Sequence, residues 1–93
     1  MVQDYIHSII WNYEEDLQKV KQYGHALQYV KEQTPEICLA SVKKTGIALR
    51  FVKQQTPELC WEAVKETGYA LQFVKDPILL YKQIKLHFTR FSH

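Results

Sequence analysis

The sequence predicts an all-α protein, a short helical-repeat solenoid of about three helix-turn-helix units with a capping helix at each end. Three observations lead there. The stretch from Thr34 to Gln55 is repeated at once from Thr56 to Pro77, with 13 of 22 places identical: Thr34/Thr56, Pro35/Pro57, Glu36/Glu58, Cys38/Cys60, Val42/Val64, Lys43/Lys65, Thr45/Thr67, Gly46/Gly68, Ala48/Ala70, Leu49/Leu71, Phe51/Phe73, Val52/Val74 and Lys53/Lys75. Each copy carries its own helix start and stop signals. The apolar residues between those signals recur at helical spacing.

Within a copy, Thr34-Pro35-Glu36 reads as a helix start: a hydroxyl to accept from an orphan N–H, a proline at the first helical position, and a carboxylate at the positive end of the dipole. Gly46 follows Lys43, Lys44 and Thr45, and its place reads as the stop, a left-handed backbone that glycine adopts at lowest cost. The first helix is then about ten residues, near 15 Å. A second, shorter helix runs through Ala48, Leu49, Phe51 and Val52, with Ala48, Leu49 and Val52 sharing a face. Helices this short are marginal alone in water, so each copy must bury its apolar stripes against its neighbours.

Upstream lies a worn copy. Val20, Lys21, Gly24, Ala26, Leu27, Val30 and Lys31 fall in the same register, with Asn12 at the Thr place and Tyr13 at the Pro place. Residues 1–93 form one domain: a cap over 1–11, with Ile6, Ile9 and Ile10 at helical spacing; repeats over 12–33, 34–55 and 56–77; and a closing helix over 78–93. Glu14, Glu15 and Asp16 are expected to open the first-copy helix and Lys19 and Lys21 to end it. Asp76 and Pro77 start the closing helix, with Leu80, Ile84, His87, Phe88 and Phe91 on one stripe and Lys82, Lys85 and Arg90 off it.

The string TPELCWEAVKETGYALQFVK resembles a tandem helical repeat family of unknown function, of the pattern T-P-E-x-C-x-x-A-V-K-x-x-G-x-A-L-x-x-V-K, found in giant viruses, phages and bacteria. The resemblance covers about Val20 to Lys75. It implies a repeat scaffold with no catalytic residues to carry over. In size and style the chain is also similar to small phage-encoded anti-CRISPR proteins, which implies an inhibitor of an RNA-guided nuclease acting in the host cytoplasm.

Composition bounds the function. At 46% hydrophobic and 13% aromatic residues the chain is built to fold, and 93 residues make a modest core. The net charge of +2 divides unevenly: residues 1–18 hold Asp4, Glu14, Glu15 and Asp16 and no lysine or arginine, so the remainder carries +6. The absence of a basic leader and of a membrane-length apolar run predicts a soluble, cytoplasmic protein with no membrane partner. Cys38 and Cys60, one repeat apart, are expected as reduced core thiols about 10 Å from each other. His7, His25, His87 and His93 are scattered, and there is no Cys-x-x-Cys or His-x-x-x-His pair, so no metal or cofactor is expected. No phosphate-cradling glycine loop, H-E-x-x-H or nucleophile motif occurs, and the reading is non-enzymatic.

Two functions remain. The first is an interaction protein that binds and blocks a larger protein or ribonucleoprotein, with Arg50, Tyr69, Phe88 and Arg90 as candidate anchors, since aromatic and arginine side chains dominate interface energetics. His25, Ile47 and Tyr69, which differ at one repeat place, are where such a surface is individualised. The second is a single-stranded RNA binder using two lysine columns, Lys21, Lys43 and Lys65, and Lys31, Lys53 and Lys75. Against that stand the interspersed Glu32, Glu36, Glu58, Glu62 and Glu66, and the placement of lysines at helix ends, where the dipole favours a cation. Tyr29, Phe51 and Phe73 form an aromatic column, able to stack bases but read as core. The assembly expected is a monomer, or a weak homodimer through the stack ends.

Overall fold

The computed structural model describes the backbone of residues 2–91 and the side chains of residues 12–86. The chain runs α1 (Val2–Gln22), η1 (Gly24–Tyr29), α2 (Pro35–Lys44), η2 (Gly46–Phe51), α3 (Pro57–Glu66), η3 (Gly68–Phe73) and α4 (Pro77–Phe91), where η marks 3₁₀ helix, and the described residues contain no strand. The all-α repeat architecture expected from the sequence is therefore present. It makes a rod of 55 × 24 × 20 Å.

The Thr-Pro-Glu starts work as their chemistry dictates. Thr34 Oγ1 accepts from the N–H of Ile37 at 3.2 Å and Thr56 Oγ1 from that of Leu59 at 3.2 Å, each cap stabilising its helix by about 1 kcal/mol. Where copy one has Asn12 and Tyr13 there is no helix start at all. The expected division between a cap over 1–11 and a separate first-copy helix is corrected: α1 is continuous from Val2 to Gln22, and Glu14, Glu15 and Asp16 lie in its middle. Without a proline at position 13 every backbone N–H stays available to the helical ladder, so nothing interrupts it.

The glycines also differ from expectation. No glycine in the described chain has a positive φ. The α-helices end instead at extended residues, Thr45 at φ −144° and Thr67 at φ −152°, and Gly46 and Gly68 open the next element. What requires glycine is close approach. A Cβ at Gly24 would stand 2.6 Å from Thr45 Cβ and 2.8 Å from the Ser41 carbonyl oxygen, and one at Gly46 would meet Thr67 at 2.9 Å and overlap the Ala63 carbonyl. Each glycine thus lets the α-helix end of the following copy close onto its backbone. Ser41 completes the first such joint by donating its hydroxyl to the Gly24 carbonyl at 2.7 Å, fully buried.

The second helix of each copy is a 3₁₀ helix beginning at the glycine, closed by i→i+3 bonds such as Ala48 N–H to the Thr45 carbonyl at 2.9 Å and Val52 N–H to the Leu49 carbonyl at 3.0 Å. Three residues per turn places every third residue in one row. In copy two, Gly46, Leu49 and Val52 are buried; Ala48 is buried and Phe51 half-buried; Ile47 is half-buried and Arg50 and Lys53 are exposed. The expected grouping of Ala48, Leu49 and Val52 on one face is replaced by these three rows.

The core is one cluster running the length of the stack, including Val20, Leu27, Ile37, Val42, Leu49, Leu59, Ala63, Ala70 and Leu80. Full burial of a Leu or Ile contributes about 1.5–3 kcal/mol, which these short helices need because none is stable by propensity alone. Cys38 and Cys60 are buried free thiols within it. Burial raises both thiol pKa values above the usual 9.0, and the Asp76 charge adds to the effect at Cys60.

Copies are also tied by glutamine. Gln33 Nε2 donates to the Phe51 carbonyl at 2.8 Å while its Oε1 accepts the Lys53 N–H at 2.9 Å; Gln55 does the same to Phe73 at 2.8 Å and Lys75 at 2.9 Å. After η3, Asp76 Oδ1 accepts from the N–H groups of Ile78 at 3.2 Å and Leu79 at 3.4 Å and caps α4. The closing helix packs against α3 and not against η3.

Candidate interaction surface

The three rows of the 3₁₀ segments decide which residues can reach a partner. The Gly-Leu-Val row faces the following copy: Leu27 and Leu49 are fully buried there. The Ala-Phe row faces the preceding copy: Ala48 and Ala70 are fully buried, and the Phe51 ring stands edge-on to His25 of copy one with centroids 6.2 Å apart. Away from the ends of the rod the third row is the most exposed, with Arg50 in solvent and His25 and Ile47 half-buried. It reads His25, Gln28, Lys31 in copy one, Ile47, Arg50, Lys53 in copy two and Tyr69, Gln72, Lys75 in copy three.

This row brings together candidates that the sequence reading held apart. Arg50 and Tyr69, offered as anchors for a protein, lie in the same rows as Lys31, Lys53 and Lys75, offered as a cation column. Tyr69 is 75% exposed. The Arg50 guanidinium carbon lies 4.6 Å from the centroid of the Phe51 ring, a cation–π contact. Gln28 and Gln72 donate to the carbonyls of His25 and Tyr69 at 3.2 and 3.1 Å, which fixes the row's backbone at both ends of the stack. The other two proposed anchors, Phe88 and Arg90, sit in α4, and their side chains fall outside the described residues.

The lysine columns separate. Lys21, Lys43 and Lys65 occupy the last turns of α1, α2 and α3, where the carbonyl end of the helix favours a cation. Lys65 is further committed, paired with Glu62 Oε1 at 2.9 Å and lying 5.4 Å from the Trp61 ring centroid. Lys31, Lys53 and Lys75 were also expected in last turns; they lie instead past the 3₁₀ segments, which end at Tyr29, Phe51 and Phe73, each lysine following an extended valine, Val30, Val52 or Val74. Lys53 Nζ reaches the Lys31 carbonyl at 3.5 Å, so these two members of the column lie side by side. Lys31 and Lys53 border a groove of about 650 Å³, lined by all three copies and by Gln83 of α4; Glu58 lines it too.

The aromatic column does not form a uniform core. Phe51 and Phe73 are half-buried, but Tyr29 is 79% exposed because no copy precedes it. The ends of the rod are where sequence reasoning missed most. The large apolar residues left exposed among those described are Tyr23 and Tyr29 at one end and Tyr69, Leu71, Ile78, Leu79, Tyr81 and Leu86 at the other. A signal for the second group was present. Ile78, Leu79 and Leu80 are consecutive, and a helix that buries Leu80 turns the other two away from the core.

Among the described residues no cluster of three His, Cys, Asp or Glu side chains is placed to hold a metal ion, and no helix is long and apolar enough to cross a membrane. No protein-family model, curated protein or solved structure matches this chain.

Proposed function

We propose that the chain is a non-enzymatic interaction protein that grips a larger macromolecular partner through the outward row of its 3₁₀ column. One observation supports this reading above the rest. The two inward rows repeat as Gly-Leu-Val and Ala-Phe (Ala-Tyr in copy one), while the outward row changes from His25-Gln28 to Ile47-Arg50 to Tyr69-Gln72. Within the 3₁₀ segments, inward rows kept nearly constant by packing beside a more exposed row that varies are how a repeat array individualises a surface. Tyr69 and Arg50 supply the aromatic and guanidinium groups that carry interface energy. The resemblance to anti-CRISPR proteins would make the partner an RNA-guided nuclease or its guide RNA.

Capture of partners from a host lysate by the wild-type chain and by an Arg50→Ala/Tyr69→Ala variant tests this. Both substituted side chains are exposed, so helicity should survive; a protein recovered by the wild type should be lost by the variant at least tenfold. Retention of every recovered protein by the variant would sink the reading.

The second reading, direct binding of single-stranded RNA, is favoured by one contact, the alignment of Lys53 over Lys31. Binding through Lys31, Lys53 and Lys75 would weaken steeply with salt, with a log-log slope of about −0.7 per phosphate contacted. Glu32, next to Lys31 in the chain, and Glu58, which lines the groove with Lys31 and Lys53, are exposed and blunt the field of these lysines, which favours the protein partner. Tight, salt-sensitive RNA binding by the isolated chain, abolished by charge reversal at Lys31, Lys53 and Lys75, would reverse that preference.

A further inference from the structure

The joint between neighbouring 3₁₀ segments is made twice inside this chain and left open at both ends of it. In each closed joint the Gly-Leu-Val row of one copy receives the Ala-Phe row of the next. Leu27 and Leu49 lose all exposure in this way, Ala48 and Ala70 likewise, and Gly24 and Gly46 have the following copy against them at contact distance. Copy three has nothing to receive. Leu71 is 53% exposed at the place where Leu27 and Leu49 are sealed, and a Cβ on Gly68 would find no atom within 4 Å. Copy one has nothing to enter: Ala26 is only half-buried and Tyr29 is exposed. The rod therefore ends in two unfilled halves of the same joint, one at each end.

The helix column supplies charge in the matching sense. α1 carries Asp4, Glu14, Glu15 and Asp16 against Lys19 and Lys21, whereas α4 carries Lys82, Lys85 and Arg90 and no carboxylate. Because α4 covers α3 and leaves η3 bare, a second η segment can reach Leu71 while the α-helix attached to it comes against α4. Acidic α1 is the complementary neighbour for basic α4 at that place. Exposed apolar residues cluster at these two ends and are absent from copy two, which lies between them. Contiguous apolar patches left in this way mark contact surfaces.

We propose that a second copy of this chain docks head to tail on the first, its Ala26 and Tyr29 entering the open joint at Gly68 and Leu71. The contact joins two different surfaces, so it is heterologous and does not saturate at the dimer: each added copy brings another open end. It uses rows that the outward-facing partner surface leaves untouched. Joining copies would extend that surface by three repeats at a time and multiply its valency.

Sedimentation over a wide range of protein concentration, with two variants, tests the proposal. Tyr29→Glu places a charge in the entering half and Leu71→Glu in the receiving half; both positions are exposed in the single chain, so far-ultraviolet circular dichroism should stay unchanged. The wild-type chain is expected to grow from 11.0 kDa monomer through dimer to larger species as concentration rises. Each variant alone is expected to remain monomeric. An equimolar mixture of the two should form dimers and nothing larger, since each variant keeps one good half and the two good halves meet once. A wild type that stays monomeric at millimolar concentration overturns the proposal. So does a dimer lost in Leu71→Glu but kept in Tyr29→Glu, which would mean that two η3 faces pair with each other.

Discussion

The side-chain amide of Gln33 is bonded to the backbone of Lys53, twenty residues on: its Oε1 accepts the Lys53 N–H at 2.9 Å, while its Nε2 donates to the carbonyl of Phe51 at 2.8 Å. A side-chain amide donates from its nitrogen and accepts at its oxygen, so one side chain satisfies both a donor and an acceptor that the end of a 3₁₀ segment leaves open. Gln55 repeats the clasp one copy later, and Pro77 at the next repeat place ends it. Gln33→Leu should cost about 2 kcal/mol, since two backbone groups lose their partner. Gln33→Glu keeps the acceptor and loses the donor, and should fall short of the wild type while exceeding the leucine variant. Urea melts followed by circular dichroism read all three; equal midpoints would show that water replaces the clasp without loss.

The three repeat glycines should respond differently to one and the same substitution. Gly24→Ala and Gly46→Ala force a Cβ into the backbone of the following copy, and each should destabilise the chain by about 2 kcal/mol or more, in the range seen for overpacked positions. Gly68→Ala meets nothing within 4 Å and has no positive φ, so it should be neutral or stabilise by about 0.4–1 kcal/mol through the unfolded state. Melts at micromolar concentration give the comparison. Equal losses at all three sites would mean that backbone conformation, not close approach, selects glycine here.

Those same glycines show what was legible in the sequence. The Thr-Pro-Glu starts, the α2 and α3 boundaries and the start of α4 could all be read, because capping and proline rules act within four residues. Gly46 could be placed at a helix boundary but not explained, since the Ala63 carbonyl that demands it lies seventeen residues away and only stacking brings it there. The 3₁₀ rows were present as a spacing of three, Gly46, Leu49 and Val52, recurring in every copy. A spacing of three and one of 3.6 are hard to separate over six residues, so Ala48 was grouped with the wrong neighbours. The site was half-legible: Tyr69 and Arg50 were singled out by their chemistry, but that they are exposed within the 3₁₀ segments, with Lys31, Lys53 and Lys75 exposed just past the segment ends, follows only from the structure. Leu71 was invisible as a surface residue because its repeat equivalents are core; what differs is the absence of a fourth copy above it.

The two thiols should be slow and distinguishable. The thiolate is the reactive form, and burial raises the pKa of both Cys38 and Cys60 above 9.0, with the charge of Asp76 raising Cys60 further. In the native chain both should label with a neutral maleimide far more slowly than in urea. Asp76→Asn removes the charge but keeps an oxygen to cap α4, and should quicken Cys60 while leaving Cys38 as it was. Peptide mass spectrometry of a labelling time course resolves the two sites, and an unchanged Cys60 rate in the variant would remove Asp76 from the account.

The phenol of Tyr13, in α1, donates to Glu36 Oε2 at the start of α2, and this hydrogen bond, with lesser help from desolvation and from the Glu36 charge, raises the phenol's pKa above the usual 10.0. The sign of the consequence is fixed by proton counting. Below pH 10 the phenol is protonated whether the chain is folded or not, and the contact contributes fully. As pH rises past that value the unfolded chain loses the proton first, so the folded state holds more protons and its stability falls with pH until the folded phenol also ionises. Tyr13→Phe lacks both the contact and this proton. The wild type should therefore be the more stable at neutral pH, and its advantage over Tyr13→Phe should shrink as pH climbs above 10, the other tyrosines acting on both chains alike. Urea midpoints for the two chains across that range measure the gap. A gap that stays constant through the alkaline range would mean that Tyr13 does not hold its proton for Glu36.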